Sequence, residues 1–141
     1  MFVMKRGAIA AVWTFVILAA SGCSKPPLEV VPELAPVNGI VTLDGKPLVG
    51  GSVQFTAKEG TSVATTDANG KYVLKYRNKI EGGPVGANVV RIAKYDEVKG
   101  ADGNVLAGPS LIPSRYNDNT TLSADVKAKS PNEYNFDLKS R

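Results

Sequence analysis

The chain has 141 residues, with Lys+Arg 17 against Asp+Glu 13, one cysteine and no histidine. These counts exclude a Ser-His-Asp or Cys-His pair, an internal disulfide and a Cys/His zinc set. Length allows one domain, a 43% hydrophobic content speaks against disorder, and 14 glycines with 9 prolines point to short elements between many turns.

Lys5 and Arg6 close a short basic head, and residues 7–22 are uncharged and mostly apolar. Basic region, apolar core and small residues in that order read as a secretory signal peptide, a helix over 1–22. Crossing the hydrocarbon core takes about 20 apolar residues, so export with cleavage is expected, and an uncleaved anchor is the alternative. Ala20-Ser21-Gly22-Cys23 then places small residues directly before the only cysteine. This resembles the lipobox of bacterial lipoproteins, with Ala20 where Leu is usual. The resemblance implies that Cys23 is the lipidation site, its thiol taking a diacylglyceryl group and its freed amine an acyl chain such as palmitate. Each buried methylene adds about 0.8 kcal/mol, so several chains make a stable membrane anchor. Ser24 at the next position implies, by the same resemblance, placement at the outer membrane, facing the periplasm or the cell surface.

Cleavage before Cys23 removes Lys5 and Arg6 and lowers the formal charge from +4 to +2. The remaining basic residues are scattered singly among acids, so nucleic acid is not an expected partner. Residues 23–36 hold Pro26, Pro27, Pro32 and Pro36 with Glu29 and Glu33. That composition favours a flexible to semi-rigid extended tether that holds the following domain, 37–141, off the lipid surface.

From Val37 the pattern becomes short alternating segments. Val37, Gly39, Val41 and Leu43 share one strand face, and Val53, Phe55 and Ala57 share another. Asp44-Gly45 opens a turn, and residues 46–51 complete a connection that proline and glycine hold out of regular structure. A β-branched segment covers 61–66. Asp67-Ala68-Asn69-Gly70 then turns the chain into Tyr72, Leu74 and Tyr76, with Gly70 where positive φ is needed. Glu81 to Gly86 form another turn, followed by a strand over 87–95 with Val90 and Ile92 on one face, Val89 and Arg91 on the other. Leu122, Ala124 and Val126 alternate, as do Tyr134, Phe136 and Leu138. No window after the signal has helical spacing. Seven short strands with turns about every 8 to 12 residues predict an all-β antiparallel sandwich whose core holds the valines, Phe55, Leu74, Ile92 and Phe136.

The run VNGIVTLDGKPL at 37–48, then Val53-Gln54-Phe55, then TTDANGKY at 65–72, resemble the carboxypeptidase-regulatory-like domain. GGPVG at 82–86, IPSRYND at 112–118 and YNFDL at 134–138 are similar to the small lipid-anchored bacterial members of that group. The resemblance spans 37–139 and implies a transthyretin-like, seven-stranded Greek-key sandwich that performs no chemistry itself. The hydroxyisourate hydrolases of related fold use histidines, and this chain has none.

Three polar groups are candidates for a site. Asp67, Asn69 and Gly70 begin like a calcium loop, but Tyr76 and Arg77 stand where its closing acid belongs, so a turn is the reading. Asp96, Glu97 and Asp102 fall in the glycine-rich stretch 96–110, a loop with a small hairpin at Asp102-Gly103-Asn104 and the best source of paired carboxylates. Tyr116, Asn117 and Asp118 offer an aromatic face, an amide and a carboxylate, as carbohydrate sites do. In the resembling proteins the Tyr-Asn pair belongs to the fold, which implies a packed tyrosine whose hydroxyl caps backbone. Trp13, the only tryptophan, lies in the signal. No metal and no cofactor is expected. The expected function is a non-enzymatic, lipid-anchored envelope module that contacts a protein or glycan. The alternative is a carboxylate-dependent hydrolase or a carbohydrate-binding accessory protein.

Overall fold

A computed structural model describes residues 30–141. The signal segment, Cys23 and most of the proline-rich stretch lie outside the described residues. The elements in chain order are β1 (Leu34–Ala35), β2 (Val37–Leu43), β3 (Lys46–Pro47), β4 (Ser52–Ala57), β5 (Gly60–Thr65), β6 (Lys71–Val73), β7 (Lys75–Tyr76) and β8 (Ile80–Glu81). They continue with β9 (Gly83–Pro84), β10 (Gly86–Ala93), β11 (Tyr95–Lys99), β12 (Val105–Ser110), a 3-10 turn η1 (Ser114–Tyr116), β13 (Ser123–Val126), β14 (Asn132–Glu133) and β15 (Phe136–Leu138).

The described chain is all-β. A six-stranded antiparallel sheet runs β13-β10-β4-β5-β7-β8. A five-stranded sheet is built around β2, which pairs antiparallel with β3 and β6 and parallel with β14 and β15. The parallel ladders depart from the all-antiparallel expectation. They arise because the chain crosses from β13 to the far side of β2 before running along it, a geometry that a tight hairpin cannot produce.

Alternation explains which side chains meet. Val53 and Phe55 of β4, Val90 and Ile92 of β10, and Ala124 and Val126 of β13 point inward from the first sheet. Val37 and Val41 of β2, Tyr72 of β6 and Leu138 of β15 point inward from the second. Phe55 bridges the two layers, its ring centroid 6.4 Å from Tyr72, 5.9 Å from Tyr134 and 6.3 Å from Phe136. Phe136 is only half-buried, at the margin of the core where its ring packs on Phe55.

Two turns set the register. Asp44 and Gly45 both take positive φ, 51° and 80°, which matches a two-residue hairpin between β2 and β3. Lys46–Pro47 therefore pairs with β2, where the proline had argued against regular structure; as an edge, it needs no amide from Pro47. At the second turn the Asp67 carboxylate accepts the amides of Asn69 (2.8 Å) and Lys71 (3.0 Å), and Gly70 takes φ 73°. That carboxylate is spent on the turn, as the hairpin reading of this motif requires.

The alternating run Tyr72, Leu74, Tyr76 is buried as expected, but it is two strands. β6 pairs with β2 and β7 with β5, so the chain changes sheets at the fully buried Leu74. Packing also begins before residue 37: β1 pairs with β9, and Ala35 lies in the core. Asn132 fastens this end, its Nδ2 donating to the carbonyls of Pro36 (3.2 Å), Lys127 (3.1 Å) and Ser130 (2.9 Å) while its Oδ1 accepts the Lys127 amide (2.9 Å).

Candidate interaction site

The stretch 96–110 is a hairpin of two paired strands, where a loop with a small turn is the sequence expectation. β11 and β12 pair antiparallel, Val98 opposite Leu106 and Lys99 opposite Val105, with a bulge between Tyr95 and Glu97. β11 and β12 pair with no other strand among the described residues, so both outer edges of the hairpin are open. Every residue of β11 is exposed. At the tip, Gly103 takes φ 81°, its amide donates to Gly100 O (3.0 Å), and the Gly100 amide donates to Asn104 O (2.8 Å).

The three acids of this stretch do not converge. Asp96 sits near the base and accepts the Glu97 amide at 3.0 Å. Asp102 sits at the tip, accepting the Asn104 amide (3.2 Å) and its Nδ2 (2.6 Å). Those hydrogen bonds, the backbone one first, hold the Asp102 carboxyl below the usual carboxylate range. An acid so placed builds a turn and stays ionised, the opposite of a general acid. Among the described residues, no three Asp, Glu, His or Cys side chains gather as metal ligands would.

What the hairpin does present is apolar surface. Val98 and Leu106 form a cross-strand pair on one face, 46% and 56% exposed, and Val105 stands on the other at 58%. Tyr95 and Leu111 extend this surface at the base. Glycines keep the first face low: a Cβ at Gly108 would approach Val98 Cγ2 to 2.7 Å, and one at Gly100 would reach Asp102 Oδ1 at the same distance. Exposed apolar side chains gathered on one protrusion mark a contact surface more often than scattered ones do.

The second candidate group lies at the hairpin base. The Leu111 amide donates to Lys94 O at 2.7 Å, and buried Ile112 pins the returning chain to the core. Asn117, also buried, donates through Nδ2 to the Tyr95 hydroxyl at 3.1 Å. This bond joins the two candidate groups through Tyr95, which the sequence pattern places at the end of the preceding strand. Tyr116 points elsewhere: its hydroxyl accepts the Lys139 amide (3.1 Å), and the Arg115 guanidinium lies 4.8 Å over its ring while donating to Lys139 O. The Lys139 amide, then Arg115, hold the Tyr116 phenol below its ordinary range. Asp118 is exposed. The run 116–118 thus divides between a fold-fixing tyrosine, a hairpin-bracing asparagine and one acid in solvent.

Tyr116 is part of a clasp on the C-terminus. The Ser140 amide donates to Asp44 Oδ1 at 3.0 Å, and Asp137 accepts from Thr42 Oγ1 at 2.9 Å while pairing with Lys139 Nζ at 3.1 Å. Hydrogen bonds from Ser140 lower the Asp44 carboxyl, and those from Lys139 and Thr42 lower that of Asp137. Folded-state values below the ordinary 3.8 mean that the clasp has its full strength above that value and loses it as pH falls through the lowered ones. The Ser140 amide resonance should therefore hold its position from pH 7 to about 5 and move toward its random-coil value only below about 4. Movement already complete at about pH 5 would contradict the assignment.

A scan against protein-family models finds no match, and a search of curated proteins finds none. Among solved structures, a 9R-lipoxygenase from Cyanothece PCC8801 is similar over 76% of this chain and 16% of that one, with 13% sequence identity and a TM-score of 0.42. This chain spans a small part of that protein, and nothing about its own chemistry follows from the likeness.

Proposed function

We propose that this protein is a lipid-anchored module of the bacterial cell envelope that works by binding another protein through the β11–β12 hairpin. The class is a non-catalytic β-sandwich of the carboxypeptidase-regulatory-like, transthyretin-like kind. The particular member is an exported lipoprotein held at the outer membrane through Cys23. The observation that carries the reading is the hairpin itself: two strands with open edges and apolar side chains on both faces. Such a ribbon is marginal alone in water and gains most when another chain covers it. A protein partner suits it better than a glycan, because Val98, Val105, Leu106 and Leu111 offer aliphatic contact, and Tyr95 stands at the base of this surface with its hydroxyl already bonded to Asn117. The hydrolase alternative is disfavoured by Asp96 and Asp102 standing at opposite ends of the hairpin, with Asp102 tied to Asn104.

The two halves of this proposal are tested separately. Radiolabelled palmitate should enter the wild type and fail to enter Cys23→Ser; equal labelling would remove the anchor from the account. Contact through the hairpin is tested by a photo-crosslinking side chain at Leu106 in cells, which should yield a discrete adduct.

A further inference from the structure

We infer, resting on the hairpin as the contact surface, that its partner is a second copy of this chain, the two β11 edges pairing antiparallel about a two-fold axis at Val98.

Hydrogen-bond phase decides which groups each edge offers. At the tip the Gly100 amide donates to Asn104 O at 2.8 Å, so Gly100 and Asn104 form a hydrogen-bonded pair. Antiparallel pairs alternate, so Lys99 with Val105 and Glu97 with Ala107 turn their amides and carbonyls outward, while Val98 and Leu106 bond each other. The β11 edge therefore presents the main chain of Glu97 and Lys99. Of these groups only the Glu97 amide has a partner among the described residues, Asp96 Oδ1 at 3.0 Å. Such an edge accepts an extended chain by main-chain pairing. The β12 edge is poorer: Pro109 stands in it without an amide, and Val105 and Ala107 carry no charge to fix a register.

The order of charges selects both occupant and register. Glu97-Val98-Lys99 is its own complement when a second copy runs antiparallel: centred on Val98, each Glu97 faces Lys99 of the other copy. The residues with outward main chain then meet as hydrogen-bonded pairs, with opposite charges side by side on one face. A centre at Glu97 would oppose two carboxylates, and one at Lys99 two ammoniums. Neither side chain forms an ion pair among the described residues, so both are available to the second copy. On the other face Val98 meets Val98 of the second copy in a non-hydrogen-bonded pair, Cα atoms about 4.5 Å apart, with a Leu106 flanking on each side. Asp96 falls opposite Gly100 of the second copy, which has no side chain to hinder the carboxylate as it releases the Glu97 amide to the Lys99 carbonyl. Two marginal ribbons become one four-stranded sheet.

Cells carrying the full chain with Val98→Cys, treated with copper phenanthroline and run on a non-reducing gel, test the pairing. A reducible band at twice the monomer mass is expected from Val98→Cys, and none from Val105→Cys on the opposite edge or from the wild type, whose only cysteine is Cys23. Glu97→Lys or Lys99→Glu introduced beside Val98→Cys should cut this capture at least about tenfold at unchanged Tm, since both cross-strand pairs become repulsive. Placing both reversals in one chain, or coexpressing the two singly reversed chains, re-creates opposite pairs and should restore the band. Equal bands from Val98→Cys and Val105→Cys, indifference to the single reversals, or no recovery in the doubly reversed chain would overturn the inference. So would a Val98→Cys chain that stays monomeric: if a probe at Leu106 then captures a different protein, the hairpin reading stands without this one, and if it captures nothing, both fall.

Discussion

Phe55→Ala should destabilise the protein by about 3 to 5 kcal/mol in denaturant unfolding. Phe55 is fully buried and its ring touches three others, Tyr72, Tyr134 and Phe136, all supplied by segments on the opposite side of the core. Removing it loses the transfer energy of the ring and leaves a cavity that two hydrogen-bonded sheets are poorly able to close. Phe136, half-buried at the margin, has less to lose: Phe136→Ala should cost about 2 kcal/mol. A loss below about 1 kcal/mol for Phe55→Ala, or the reverse order of the pair, would mean that the inner faces are wrongly identified.

The second large effect comes from adding one carbon. A Cβ on Gly39 would lie 1.8 Å from the Tyr134 carbonyl oxygen and 3.0 Å from the Tyr72 ring. That carbonyl is fixed because it accepts the Tyr72 hydroxyl at 2.6 Å, in a setting where burial raises the Tyr72 phenol far above its ordinary range. The obstacle is main chain, so it yields only by shifting the segment that leads into β15. Gly39→Ala should therefore cost about 3 kcal/mol, at the upper end of overpacking effects. Tyr72→Phe frees the carbonyl, so the double variant should be less destabilised than the two single losses added together. Strict additivity, or a loss within about 0.5 kcal/mol for Gly39→Ala, would contradict the close approach.

These two positions also show what was legible in the residues. Alternation alone places Phe55 in the core, because in a half-buried strand the period of two decides burial. Alternation puts Gly39 on the buried face with Val37 and Val41, where the structure has it, but only as one position among others; its closeness to Tyr134 depends on a parallel pairing that no local pattern encodes. The same holds for Leu74. Its burial was readable, whereas the change of sheet there depends on which strand competes for each edge. Turns were the most legible feature, since Asp44-Gly45 and Gly70 need positive φ for reasons local to the chain.

The candidate site was read less well. The alternation in 95–99 and 105–110 is weak because a ribbon without a buried face has no side chains selected to be inside, so it resembled a loop. The carboxylates are the conspicuous groups of that stretch in sequence, yet Asp102 serves the tip turn and the apolar pair Val98 and Leu106 forms the surface. Asn117 is a candidate in sequence for its amide, and that amide braces Tyr95.

The most direct test of the central claim is site-specific photo-crosslinking in cells, comparing a probe at Leu106 with one at Val49, an exposed apolar position in the connection between β3 and β4. A discrete protein adduct is expected from Leu106, none from Val49, and loss of the Leu106 adduct when Val98→Asp is introduced into a chain of unchanged Tm. The same adducts from both positions, or a Leu106 adduct indifferent to Val98→Asp, would contradict it.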